Sequence, residues 1–265
     1  MVIRSWNLFH GRTLPQRRER EFERMVRLVC EGGPAFVVLQ ELAAATLSRL
    51  ETWSGYAAFG AVASRPRLPR ELGMRVTDLA PNTIRSAVEG QANAILVERG
   101  VRVVEHRTLV LNPRSARKRL AEELSLGAHA RCSWARERRV CHAVRAALPD
   151  GRTLIVANLH ATSYRTDKRL ADAELLRAAT FADGLARPGE PVVLGGDFNV
   201  TLVTSPTLRS LGTPEWGFSP AGPGLDHVLV RGLEVRSPEA RWPDERRLHD
   251  GVLLSDHAPV EIEVA

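Results

Sequence analysis

The chain has 265 residues, 44% of them hydrophobic and 26% charged, with a formal net charge of +6. That composition supports a sizeable core, and no apolar run approaches the roughly 18–20 residues of a membrane-spanning helix, so no span is expected. Three scattered cysteines, Cys30, Cys132 and Cys141, offer neither a disulfide framework nor a zinc-binding spacing. The start, MVIRSWNLFHG, lacks the apolar core of a secretory leader, and a cytoplasmic location is expected.

Residues 2–7 (VIRSWN) read as a strand. Residues 16–31 predict an amphipathic helix, with Phe22, Met25, Val26 and Val29 on one stripe, stopped by Gly32 and Gly33. AFVVLQE (35–41) is a near-continuous apolar run ending in a carboxylate, the look of a strand covered on both faces. Residues 60–90 are rich in Arg, Pro and Gly and predict loop with short helical pieces, while 93–100 and 107–112 read as strands. Residues 113–139 carry eight Arg and Lys against three Glu and predict a surface excursion. Strands at 138–148 and 153–160 flank a turn at Asp150-Gly151 and form a hairpin. A second amphipathic helix is predicted over 166–187, and further strands over 191–200, 224–232 and 251–264. Strands with few helices between them point to a layered α+β architecture. With no repeat and no linker, residues 1–265 are expected to form one domain.

Polar groups recur at the ends of these apolar strands. Asn7 follows IRSW, Glu41 ends AFVVLQ, and His160 follows TLIVAN. Asp197 and Asn199 follow PVVLGG, Asp226 follows GL, and Asp256 and His257 follow GVLLS. An ionised carboxylate is costly to bury unless it is paired or metal-bound. Four acids gathered at close range repel one another, which favours a cation. Oxygen ligands point to a hard ion such as Mg²⁺, Mn²⁺ or Ca²⁺. In GGDFN (195–199) the two glycines permit close backbone approach, and a strand would send Asp197 and Asn199 to the same face.

In order, SWN (5–7), LQE (39–41), NLH (158–160), GGDFN (195–199), LDH (225–227) and SDH (255–257) resemble the endonuclease/exonuclease/phosphatase superfamily of DNase I-like, metal-dependent phosphoesterases. The resemblance implies a four-layer α/β/β/α sandwich, two mixed β-sheets face to face with helices outside. It implies Mg²⁺ or Mn²⁺ on Glu41 and Asp256, with Asn7 beside the metal or against phosphate. Asp197 matches the acid that orients or deprotonates the attacking water, and Asn199 an amide that holds phosphate. His160 and His257 match two phosphate-contacting histidines, and Asp226 the acid that orients His257. The DNA-repair branch usually carries an aspartate two residues after the first asparagine, where this chain has Phe9, and often a tyrosine where it has His160. Both departures lean away from abasic-site repair.

The expected activity is metal-dependent phosphodiester hydrolysis, with a nuclease first and a small phosphorylated metabolite or lipid headgroup as the alternative substrate. A catalytically dead binding module is disfavoured because every matched acid and histidine is present. Nucleic acid is the expected partner of a monomer. The net charge supports a polyanion only mildly, because all but Lys118 and Lys168 of the 37 basic residues are arginine, a skew that a GC-rich genome would also give. The basic stretches 65–75 and 113–139 are candidates for gripping a phosphate backbone, and Trp134 for stacking on a base. Asn93, in a strand that resembles the family's NAIL pattern, is given a structural or phosphate-side role.

Overall fold

Central strands buried along nearly their whole length, covered on both faces, build two sheets here, in a computed structural model that describes residues 1–64 and 90–265. The first sheet has the order β11 (Val235–Arg241), β14 (Val260–Val264), β1 (Val2–Asn7), β3 (Phe36–Leu42), β5 (Gln91–Val97), β4 (Ala57–Ser64). The second runs β10 (Asp226–Arg231), β9 (Val192–Asp197), β8 (Thr153–His160), β7 (Val140–Ala147), β6 (Arg102–Val110). A small third sheet joins β12 (Leu248–His249), β13 (Val252–Leu254) and β2 (Thr13–Leu14).

The two large sheets pack face to face. Ile3, Phe36, Val38 and Ile95 of the first meet Val144, Val156, Val193 and Val228 of the second. The intervening residues face outward. Trp6, Val37 and Leu39 pack under α1 (Phe22–Cys30), whose buried stripe is Phe22, Met25, Val26 and Val29. Ile155, Ala157 and Leu194 pack under α5 (Arg169–Leu185) through Leu175, Ala178 and Ala182. Four layers follow, helix on sheet on sheet on helix, as expected. Each fully buried Val, Leu, Ile or Phe contributes about 1.5–3 kcal/mol over exposure, so the three apolar layers are the main source of stability.

Several boundaries differ from the sequence reading. The first helix begins at Phe22 rather than residue 16, because only from Phe22 onward does the apolar stripe have a sheet to cover. β4 occupies residues 57–64, overlapping the start of the loop predicted over 60–90; residues 65–89 of that predicted loop, with the basic stretch 65–75, lie outside the described residues. The excursion at 113–139 is helical: α3 (Arg114–Glu123) and α4 (Ala128–Arg136) follow the short α2 (Leu50–Ser54) in chain order. The last predicted strand splits into β13 and β14 around a turn at Ser255–His257. β11, an exposed edge strand containing Pro238, and α6 (Pro206–Leu211) have too little apolar periodicity to be read from sequence.

Candidate active site

Strand register gathers the polar strand ends. β1 runs parallel to β3, and β8 parallel to β9, so their C-terminal ends lie together. β14, β10, β7 and β5 are antiparallel to β1, β9, β8 and β3, so their starts come to the same edge. Within the second sheet His160 pairs with Asp197, which pairs with Asp226. Across the sandwich the Asn7 Nδ2 donates to Asp197 Oδ2 at 2.9 Å, while its Oδ1 accepts from Phe9 N–H at 3.0 Å. Asn7, Glu41, His160, Asp197, Asp226, Asp256 and His257 thus line one cleft at the shared edge of both sheets.

The backbone is bent to do this. The β3–β5 register slips between Leu39 and Leu42, and Glu41 within that bulge has φ 54°. Phe9, His10, Asn199 and Ser255 also have positive φ, so five of the seven such non-glycine residues among those described lie at this edge. Each costs on the order of 1–3 kcal/mol and persists only where the surroundings hold it. Gly196 is at φ 142°, and a Cβ there would sit 1.9 Å from Leu159 O, so only glycine lets β9 press against β8 before Asp197. Asn199 lies beyond β9 and does not leave a strand beside Asp197, as the spacing suggested. Its N–H donates to Asp197 Oδ1 at 3.0 Å and its Nδ2 to Ala161 O at 3.0 Å, so it braces two loops.

Two histidines sit in opposite electrostatic settings. His257 Nδ1 lies 2.7 Å from Asp226 Oδ2, and its Nε2 lies 4.0 Å from both Asp197 Oδ2 and Asp256 Oδ1. Burial opposes its charge, yet Asp226 first, then Asp197 and Asp256, outweigh burial and push the imidazole up to about 10. His160 is held well below its ordinary value by burial, then by Arg139, His257 and His10. Its Nδ1 lies 3.0 Å from Gln91 Nε2, a donor, so the ring proton belongs on Nε2, which lies 3.6 Å from Asp197 and 3.7 Å from Glu41. Burial and then Asp226 raise the Asp197 carboxyl, with Glu41 adding to the same direction.

Sequence reasoning missed four residues here. Arg139, 4% exposed, places Nη1 3.2 and 3.3 Å from the two ring nitrogens of His160. Gln91 supports that ring from the other side. His10 Nε2 lies 3.4 Å from Glu41 Oε2. Lys168 donates from Nζ to Asn199 O at 2.8 Å. Lys168 had one signal, being one of two lysines among arginines; the others had none beyond polarity near a strand end. Trp134, in contrast, is buried, with Nε1 donating to Glu174 Oε1 at 2.6 Å, and cannot stack on a base. Asn93 is buried and donates to Val140 O at 3.3 Å, linking β5 to the start of β7.

The acids suit a cation. Among the described residues the buried Asp226 Oδ1 has no hydrogen-bond partner. The Asp256 carboxyl is raised by burial and by Glu41, a repulsion that a divalent ion would relieve. Asp197, Asp226 and His257 bring ligand atoms within 4.8 Å of one another. The 2.7 Å bond between Asp226 and His257 already engages two of those atoms.

Comparison with known proteins bears on the fold and the family. A UPF0294 protein of Vibrio cholerae serotype O1 is 33% identical over 125 residues, a match spanning 43% of this chain and 40% of that protein's length. The human Nocturnin catalytic domain, solved with bound sulfate, has a TM-score of 0.69 at 14% identity, covering all of this chain and 93% of that one. A mannosyl-6-phosphatase of Bacteroides thetaiotaomicron has a TM-score of 0.63 at 14% identity, covering all of this chain and 99% of the other. These structural likenesses speak to the fold alone. The profile of the Endonuclease/Exonuclease/phosphatase family matches residues 5–257, from the strand that ends in Asn7 to His257 itself, and the chain belongs to that family.

Proposed function

We propose that this protein is a divalent-metal-dependent phosphodiesterase, with nucleic acid as the first substrate to test. The observation that carries the reading is the convergence of Glu41, His160, Asp197 and the Asp226–His257 pair in one cleft. Glu41 and Asp256 would hold Mg²⁺ or Mn²⁺, beside Asn7. When bound, such an ion supplies positive charge that polarises a phosphate oxygen.

The chain's own groups would do the rest. Asp197, raised by burial, takes a proton from water as the water oxygen attacks phosphorus. Asn7 and the Asn199 N–H fix the Asp197 carboxylate. His257, kept charged by Asp226, and neutral His160, through Nε2–H, donate hydrogen bonds to charge developing on the phosphoryl oxygens as the P–O bond to the leaving group breaks. Arg139 adds a buried cation on the His160 side. Exposed Arg114, Lys118, Arg131 and Arg136 on α3 and α4 favour a polyanionic substrate over a small ester.

The test is a substrate panel of plasmid DNA, RNA, bis-p-nitrophenyl phosphate and a phosphomonoester, each with Mg²⁺, Mn²⁺ or EDTA. Turnover of DNA or RNA that stops with EDTA and in Asp197→Asn is expected. Turnover of small esters alone moves the assignment to a small phosphorylated substrate, and near-normal activity of Asp197→Asn removes that residue's role.

A further inference from the structure

Three carbonyls of the turn that carries Asp256 and His257 converge on one guanidinium. Arg247 is 3% exposed and ends a short 3-10 turn, Asp244–Arg247, outside both large sheets. Its Nη1 lies 3.1 Å from Leu254 O, 2.6 Å from Ser255 O and 3.3 Å from His257 O. Nη1 carries two protons, so the three acceptors share it. Nη2 and Nε donate to Asp244 Oδ1 at 2.7 and 3.2 Å, which fixes the plane of the fork.

The turn needs an external anchor. Ser255 has φ 65°, a conformation that persists only under constraint. Its Oγ donates to Asn7 O at 2.7 Å and accepts from His257 N–H at 3.1 Å. Trp6 Nε1 donates to His257 O at 2.8 Å, tying the turn to β1. Those bonds tie the turn to β1, and Arg247 ties it to the Asp244–Arg247 turn. The side chains the turn carries are Asp256 and the imidazole bonded to Asp226.

We propose that Arg247 is a positioning residue for this centre: it sets the Ser255–His257 turn so that His257 meets Asp226 and Asp256 faces Glu41. The role rests on the hydrolytic reading of the cleft given above. Arg247 touches no reacting group itself. Its effect passes through the backbone, where a displacement of about 1 Å costs on the order of 100-fold in rate.

The experiment compares full-length wild type, Arg247→Ala, Arg247→Lys and, as an exposed-arginine control, Arg27→Ala. Three quantities are measured: unfolding temperature, turnover of bis-p-nitrophenyl phosphate with Mn²⁺, and the low-field proton resonance of the His257 Nδ1–H. Arg247→Ala is expected to lose about 100-fold in kcat and to shift or lose the resonance. Lysine reaches the same carbonyls without the fork to Asp244 and is expected to recover part of both. Arg27→Ala is expected to match wild type. Folded Arg247→Ala with wild-type turnover and an unmoved resonance overturns the proposal. Should Arg247→Ala not fold, Arg247→Met, which keeps the stem and donates to none of the carbonyls, takes its place, and an unmoved resonance there overturns the proposal. Should wild type hydrolyse no phosphoester, the hydrolytic reading fails, and the resonance comparison still decides Arg247.

Discussion

Asp226 and His257 form a close pair. A carboxylate 2.7 Å from Nδ1 fixes which nitrogen faces the cleft and keeps the ring charged. Asp226→Asn keeps the shape and removes the charge, so the imidazole is expected to lose its proton at a lower pH than in wild type. Activity near neutral pH is then expected to fall about 100-fold, with a changed pH–rate profile. An unchanged pH–rate profile would separate Asp226 from the chemistry. Residues of this kind were legible because acids and histidines at strand ends are conspicuous against apolar runs. Arg139 and His10 were not. Arginine is common throughout this chain, and His10 follows Asn7 in an irregular turn that no periodicity marks.

Strands also carry a polar thread through the interior between the sheets. Gln40 of β3 donates to Asn158 Oδ1 of β8 at 2.9 Å, Asn158 Nδ2 lies 3.3 Å from His142 Nε2 of β7, and His142 Nδ1 lies 3.2 Å from His106 Nε2 of β6. Burial first, then His106, push the His142 imidazole down to about 3. The same ring titrates at about 6.5 when unfolded. Between those values the unfolded chain binds a proton that the folded protein refuses. Stability therefore falls by up to about 1.4 kcal/mol per pH unit as pH drops through that window and is unaffected above it. His142→Gln is expected to flatten the loss of unfolding temperature between about pH 7 and about pH 5. Equal acid slopes in variant and wild type would clear His142 of that role. At this scale most strands and the helices α1 and α5 were readable from periodicity, while α3, α4, β4 and β11 were not: α3 and α4 bury few apolar residues, in a small cluster with Leu170, and β11 lies exposed.

For the molecule as a whole, the cleft joins the two sheets through side chains more than through backbone. Glu41 comes from β3 and Asp256 from the turn before β14, while Asp197 and Asp226 come from the second sheet. An ion held by Glu41 and Asp256 binds only the folded arrangement, and at 100 times its dissociation constant it adds about 2.7 kcal/mol of stability. Mn²⁺ is expected to raise the unfolding temperature of wild type, EDTA to reverse the rise, and Glu41→Gln with Asp256→Asn to abolish it. A shift of equal size in that double variant would place the ion elsewhere. Among the described residues no helix is long and apolar enough to cross a membrane.

Composition, two-residue and 3.6-residue periodicities, and the ordered polar tripeptides determined the layered α+β architecture, the family and the gathered acids and histidines other than His10. Those are properties of local spacing and residue type, which a chain displays before it folds. Register, backbone sign and the partners of each polar atom were decided only in the tertiary structure. The bulge that turns Glu41 inward, the Asn199–Ala161 bond and the His160–Arg139 contact each join residues far apart in the chain. Such contacts depend on how parallel and antiparallel strands align at one edge, a geometric outcome that local spacing does not encode.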